Sequence, residues 1–157
     1  MRENVFVKVS GDLIRRQDVL LWIKEKTGRC HLIICVGGGS DINEEFKEKG
    51  FTVYYGPLGR ETKHLIELQT ARDILEENQA LVQDLLADYN IYAEVILPFI
   101  YLGTLLCPVN GDEMVRLAYI RCMRLFVLTE EGERLKEKKE KFAGLDKIEV
   151  IGFPRLP

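Results

Sequence analysis

Five apolar residues, Leu32-Ile33-Ile34-Cys35-Val36, run without a break into Gly37-Gly38-Gly39. An apolar run of that length bounded by glycine reads as a buried strand. Ser40 or Asp41 can then N-cap a helix that continues through Ile42 and Phe46 to Gly50. A strand that empties into three glycines and then a helix admits two readings. One is a tight turn that needs positive φ, for which a single glycine normally suffices. The other is an anion cradle, in which the bare backbone lets an anion approach peptide N–H groups and the helix N-terminus adds partial positive charge. The two familiar glycine loops are excluded. A dinucleotide fingerprint needs glycine where Ile42 stands, and no G-x-x-x-x-G-K-[ST] string occurs.

Elsewhere the chain alternates in the same way. Val5–Val9 reads as a strand, followed by a turn at Ser10-Gly11-Asp12 and a helix carrying Val19, Leu20, Trp22 and Ile23 that stops at Gly28. Phe51–Tyr55 reads as a further strand. Thr62 can cap a long helix reaching about Asp88, and that length suggests contact with a second subunit. Val95–Leu97 is a strand, and Pro98–Pro108 a loop or small hairpin. Met114–Met123 is helical, Leu125–Thr129 a strand, Glu133–Phe142 a helix and Lys147–Phe153 a closing strand. The mixed Lys/Glu run at 136–141 reads as a solvated helix face. Strands alternating with helices predict an α/β fold, a three-layer α/β/α sandwich on a mainly parallel sheet, in one domain over residues 1–157.

Composition narrows the function. With 157 residues, 46% of them apolar, the chain can bury a proper core. A net charge of −3 without a basic cluster argues against nucleic acid. Apolar stretches are broken well short of a membrane span, and the N-terminus begins a strand rather than a signal peptide, so the expected setting is cytoplasmic. Cys30, Cys35, Cys107 and Cys122 form no C-x-x-C pair, and Cys30 and Cys35 face opposite ways along a strand. His31 and His64 have no second ligand at zinc spacing. No metal site is expected.

In such a sheet, ligands collect at the carboxyl ends of the strands, and four groups fall there. Lys8, with Ser10 and Gly11, is the first; a lysine in so apolar a strand either solvates an edge or points into a site. Gly37, Gly38 and Gly39 are the second. Arg60, in Gly59-Arg60-Glu61-Thr62, is either solvated or placed to grip a carboxylate or phosphate. In Val109-Asn110-Gly111-Asp112, Asp112 is either an N-cap or a site residue.

Taken in order, these segments resemble the amino-acid kinase family, which includes uridylate, acetylglutamate, carbamate and aspartate kinases. Lys8-Val9-Ser10-Gly11-Asp12 resembles its opening K-x-[SG]-G motif, and Val36-Gly37-Gly38-Gly39 its second glycine motif. Phe51–Thr62 resembles the segment before the long dimer helix of acetylglutamate kinase. Val109-Asn110-Gly111-Asp112 resembles its N-x-D motif, and Leu125–Thr129 the strand ending in Leu-Thr. The likeness covers roughly residues 4–130. It implies an amino-acid-kinase-like fold and phosphoryl transfer from ATP, with Mg²⁺, to a small carboxylate, carbamate or phosphate. Lys8 would stabilise charge on the moving phosphoryl group, and Asp112 would orient lysine side chains. Ser10, Gly11, the Gly37–Gly39 amides, Arg60 and Asn110 would hold phosphate and acceptor oxygens, and Thr129 would lie on the nucleotide side. A homodimer through the helix starting near Thr62 follows from the same likeness.

The chain also departs from the pattern. Thr129 is followed by Glu130-Glu131-Gly132 where the family has a T-D-x-x-G turn and later a second catalytic lysine. Asp12 adds a negative charge beside the first glycine motif. The expectations are therefore a phosphotransferase acting on a small anionic metabolite or, alternatively, a non-catalytic module of the same fold that binds one.

Overall fold

The computed structural model of the chain describes residues 2–57 and 59–156. Its central strand is β1 (Asn4–Val9), the middle of five in a parallel sheet ordered β5-β2-β1-β8-β9. Here β2 is His31–Val36, β5 Ala93–Ile96, β8 Arg124–Glu130 and β9 Ile148–Phe153. Lys8 is in register with Cys35 of β2 and Val127 of β8. A lysine on the middle strand cannot be solvating an edge, which resolves one of the two readings.

Period-two alternation divides the strands between two cores. Val5, Val7 and Val9 join Ile34, Phe126 and Leu128 under α1 (Gln17–Thr27) and the C-terminal half of α3 (Leu65–Asp88). Phe6, Cys35, Leu125 and Val127 join Val115 of α4 (Gly111–Ala118) and Phe142 at the end of α5 (Glu133–Lys141). Each fully buried aliphatic or aromatic side chain contributes roughly 1.5–3 kcal/mol, and Trp22 closes the first core edge-on to Phe126 at 5.1 Å. A third, smaller core joins Ile42 and Phe46 of α2 (Gly39–Glu48) to Ala71 and Leu75 of α3. Helices on both faces of a parallel sheet make the expected three layers. Among the described residues, no helix is long and apolar enough to cross a membrane.

Several local expectations are corrected. Phe51–Tyr55 is not a strand of the sheet. Only Tyr54–Gly56 is extended (β3), and it pairs antiparallel with β4 (Gly59–Glu61), because the chain reverses between Gly56 and Gly59, the latter at φ +122°. Pro98–Pro108, by contrast, is the small hairpin, one of its two expected forms, made of β6 (Phe99–Leu102) and β7 (Leu105–Pro108). Neither Ser40 nor Asp41 caps α2: Gly38 stands at the cap, and Asp41 accepts a hydrogen bond from Asn78 of α3 at 2.7 Å. Nor does Thr62 cap α3. His64 stands there, with the Glu67 carboxylate accepting from the Lys63 and His64 amides at 2.8 and 3.3 Å. The helical segment after Gly111 ends at Ala118, short of Met123.

The loops after β1 and β2 touch. A Cβ on Gly11 would lie far inside van der Waals contact of the Gly37 carbonyl oxygen, and that obstacle is backbone, which cannot swing away. We expect Gly11→Ala to destabilise the fold by about 1–3 kcal/mol, as overpacking does, measured as a lower urea midpoint with unchanged slope. An unchanged midpoint would show that the two loops are free to separate.

Candidate functional site

At the carboxyl edge of the sheet, a cavity of about 230 Å³ is lined by Lys8, Gly37, Gly38, Gly39, Arg60 and Asn110, with Leu75 and Phe99 among its apolar walls. Six residues singled out in the sequence thus meet in one place. Ser10, Gly11, Asp112 and Thr129 do not line it. Among the described residues, four larger clefts, of about 440–570 Å³, lie away from all of these residues, three around Cys30 at the amino edge and one beside Phe142 and Ile148.

The glycines serve space rather than handedness. None of Gly37, Gly38 and Gly39 is among the residues with positive φ, so the tight-turn reading of the loop does not hold. Gly37 abuts Gly11, and its N–H donates to the Val9 carbonyl at 3.0 Å, extending the β1–β2 ladder. That amide is spent and cannot serve an anion. A Cβ on Gly38 would come within 2.7 Å of Leu75, whereas one on Gly39 meets nothing within 4 Å. The amides at Gly38 and Gly39 open the first turn of α2, where N–H groups have no intrahelical acceptor.

A second helix N-terminus comes in from the other side. Asn110 caps α4, its side-chain oxygen accepting from the Asp112 amide at 3.1 Å, so Asn110 and not Asp112 is the cap. A Cβ on Gly111 would sit 3.1 Å from Cε of Lys8, so the missing side chain lets the lysine stem pass beside the start of α4. The β3–β4 hairpin closes the cavity across both helix starts. Arg60 donates to Asn43 Oδ1 at 2.7 Å and to the Gly39 carbonyl at 3.2 Å, and it stacks between Phe46 and Tyr55 at 5.4 and 5.3 Å. Gly59, lacking a Cβ, rests against Asn110.

Lys8 is 8% exposed. Among the described residues, its ammonium has the Ser10 hydroxyl at 3.5 Å and no carboxylate within ion-pair distance. Ser10 in turn donates to the Leu128 carbonyl at 3.3 Å, so it steadies Lys8 from behind the cavity. Burial pushes the Lys8 ammonium below its usual range, against the attraction of Asp112. Asp12 faces α5, where it pairs with Arg134 at 3.6 Å, so its charge is turned away from the cavity.

Asp112 is 1% exposed, and one of its oxygens, Oδ2, receives both Lys138 and Lys141, the latter at 3.0 Å; Oδ1 has no partner. Burial works against its charge, but Lys138, Lys8 and Lys141 outweigh it and hold the carboxyl below the usual range. The run at 136–141 is therefore not uniformly solvated. Lys138 and Lys141, three apart on one helix face, turn inward, and that spacing was the only local signal for them.

The residues present do not fit a nucleotide. The cavity lies below the roughly 300–1,000 Å³ of pockets for larger ligands. Thr129, expected on the nucleotide side, is 1% exposed with an unpartnered hydroxyl. Beside it β9 pairs with β8 through Gly152, over which Leu135 and Glu131 pack. Among the described residues, no cluster of three His, Cys, Asp or Glu side chains can hold a metal ion.

The ion cluster predicts an acid response. A carboxyl with a depressed folded-state value adds stability above its unfolded value of about 3.9 and loses it as pH falls through the lower folded value. Asp112→Asn should cost roughly 3–5 kcal/mol at pH 7 and flatten the stability profile below about pH 4. Equal loss of stability in acid by the variant and the wild type, in urea titrations across pH, would place the acid-sensitive group elsewhere.

No family model matches this chain, and no curated protein does. Solved structures do. The smu.665 structure from Streptococcus mutans UA159 aligns at TM-score 0.67 with 16% identity, over 91% of this chain and 84% of that one. N-acetylglutamate synthase from Neisseria gonorrhoeae, complexed with coenzyme A and N-acetyl-glutamate, aligns at TM-score 0.56 with 11% identity, over 96% of this chain and 54% of that one. The same enzyme with coenzyme A and L-arginine aligns at 0.55 with 11% identity, over 97% and 57%. The chain thus spans about half the length of that synthase. At such identities the likeness shows the fold alone, and that fold is amino-acid-kinase-like.

Proposed function

We propose that this protein binds a small oxyanion, a phosphate or a carboxylate, in the cavity between Lys8 and the starts of α2 and α4. The observation that carries the reading is the buried Lys8 ammonium, which lines a cavity and has no carboxylate partner among the described residues. A charge in that position is costly unless something opposes it. Two helix N-termini aimed at the same space favour a negative ligand there. Binding rather than phosphoryl transfer from ATP is favoured by the small volume and by the enclosure of Thr129.

Within this reading each group has a definite task. Lys8 supplies charge, the Gly38 and Gly39 amides supply directed donors, and the Asn110 side-chain amide supplies a neutral donor. Arg60 holds the hairpin over the ligand. Its guanidinium is already shared with Asn43 and Gly39, so it shapes the site more than it charges it.

Isothermal titration with inorganic phosphate, acetate and Mg·ATP tests this. Phosphate or acetate should bind, and at 100 times its dissociation constant it should stabilise the fold by about 2.7 kcal/mol. Gly39→Asp places a carboxylate in open space at the cavity and should abolish binding without loss of stability. Lys8→Met should also abolish it while leaving the protein at least as stable at pH 7, because a buried ammonium with a lowered pKa opposes folding in full below its folded-state value, and the penalty is gone only above the unfolded value of about 10.4. Tight Mg·ATP binding with no response to phosphate or acetate would reverse the choice between binder and kinase.

We also propose that the chain pairs with a second copy at the N-terminal end of α3. One face of the middle and end of the helix is covered by its own chain through Ala71, Leu75, Val82 and Leu86, while Leu81 is exposed. Leu65 and Ile66 are 69% and 55% exposed, and the exposed Tyr101 of β6 lies within electrostatic reach of Arg72 on the same helix. Light scattering at micromolar concentration should give a dimer that Leu65→Glu with Ile66→Glu converts to monomer. A monomeric wild type would rule the pairing out.

A further inference from the structure

We propose that Lys138 and Lys141 are positioning residues for Lys8: by occupying Asp112 they keep that carboxylate from capturing the lysine, and so leave the Lys8 ammonium for the cavity. This rests on the anion-binding reading above and concerns residues that do not line the cavity themselves.

Asp112 is a carboxylate buried to 1% exposure on the first turn of α4, directly after the Gly111 that Lys8 passes. A buried lysine beside a buried carboxylate ordinarily closes into an ion pair, because each is costly alone. Here the pair does not form, although the charges feel each other: Asp112 is the largest influence drawing the Lys8 charge back toward its usual range. Instead Asp112 Oδ2 is taken twice over from α5. Lys138 and Lys141 reach it while 22% and 32% exposed, so they retain water that Lys8 lacks.

The two lysines are not equivalent. Lys141 also pairs with Glu113 at 3.5 Å, whereas Lys138, among the described residues, has Asp112 alone. The other groups facing Lys8 leave it available. From α5, Arg134 is paired with Asp12; from β2, the Cys35 thiol is pushed up to about 12 by burial and stays neutral. Ser10 gives only a hydroxyl. Among the described residues, Asp112 is the carboxylate whose charge acts on Lys8; its Oδ1 is unpartnered, so it is the positive charge that Lys138 and Lys141 bring to it, not a lack of a free oxygen, that leaves Lys8 unpaired.

The reading differs from a simple role in fastening α5. Loosening the helix would leave Lys8 facing the cavity and anion affinity intact. Releasing Asp112 would turn Lys8 away and weaken binding, and removing the released carboxylate would restore it. Phosphate is titrated at pH 7 into wild type, Lys138→Gln/Lys141→Gln, and the same double variant with Asp112→Asn added. The Lys8 ammonium is followed in parallel by NMR of ¹³C-labelled lysine, assigned with Lys8→Arg, and each variant's fold is checked by its melting curve.

We expect the double variant to lose about tenfold in phosphate affinity, equivalent to about 1.4 kcal/mol, the triple variant to regain it, and the Lys8 titration to move upward in the double variant. Lys138→Arg should behave as wild type. If the double variant does not fold, Lys138→Gln alone, which leaves Asp112 with the Lys141 it shares with Glu113, should lose about threefold, and wild-type affinity in it overturns the proposal. Wild-type affinity in the double variant, or a triple variant as weak as the double, overturns the proposal. If wild type binds no phosphate, the anion reading fails by itself. A crystal structure of the double variant then decides: a Lys8 ammonium drawn to within ion-pair distance of Asp112 upholds the positioning role, and an unmoved Lys8 removes it.

Discussion

Lys8 stands on the middle strand of a parallel sheet whose two faces are covered by helices. An ammonium there loses most of its hydration, and no arrangement of aliphatic neighbours replaces it. The structure meets this with small residues around the lysine: its stem passes the bare Gly111 at the start of α4, its ammonium has the Ser10 hydroxyl, and it lines a cavity together with the Gly37–Gly39 loop. Parallel strands bring their carboxyl ends to one edge, so three segments distant in sequence deliver these groups to the same few ångströms.

Closeness of backbone then dictates the rest of the edge. Because Gly11 lies against Gly37, the first two loops form a continuous floor. Because Gly59 lies against Asn110 and Arg60 against Gly39, the hairpin spans both helix starts. The cavity is small because loops held by backbone contact form part of its wall and apolar side chains such as Leu75 and Phe99 fill the rest, and this smallness is what favours a compact oxyanion over a nucleotide. Similarity in fold to N-acetylglutamate synthase says nothing of chemistry at this identity. The chemical argument lies in Lys8 and its neighbours.

Much of this could be read from the sequence, for reasons of period. Strands with two-residue alternation and helices with an apolar stripe reveal themselves locally, and so does a glycine run after an apolar strand. Lys8 was visible as a charge out of pattern, but whether its strand was central or at an edge depends on β8, more than a hundred residues away. The reversal at Gly56–Gly59 was missed because Phe51–Tyr55 has the composition of a sheet strand, while the hairpin that claims its end depends on the next turn. Caps were misassigned where a neighbour competed, as Asn110 did with Asp112. Lys138 and Lys141 carried almost no signal. Their partner lies 26 and 29 residues upstream, and a lysine-rich helix face looks solvated until something buried is placed beneath it.

The helix that carries those lysines contributes no buried residue of its own. It is held at its C-terminal end by Phe142 in the core and elsewhere by Leu135 over Gly152 and by ions: Lys138 and Lys141 on Asp112, Arg134 on Asp12. The exposed Arg134–Asp12 tether weakens as salt shortens the range of charge, while the pairs on buried Asp112 are screened far less and the packing between sheet and α1 is untouched. The chain is thus built in two grades of firmness. Amide hydrogens in β1 and β2 should exchange only with global unfolding, whereas those in the first turns of α5 should exchange through local opening that grows easier with ionic strength.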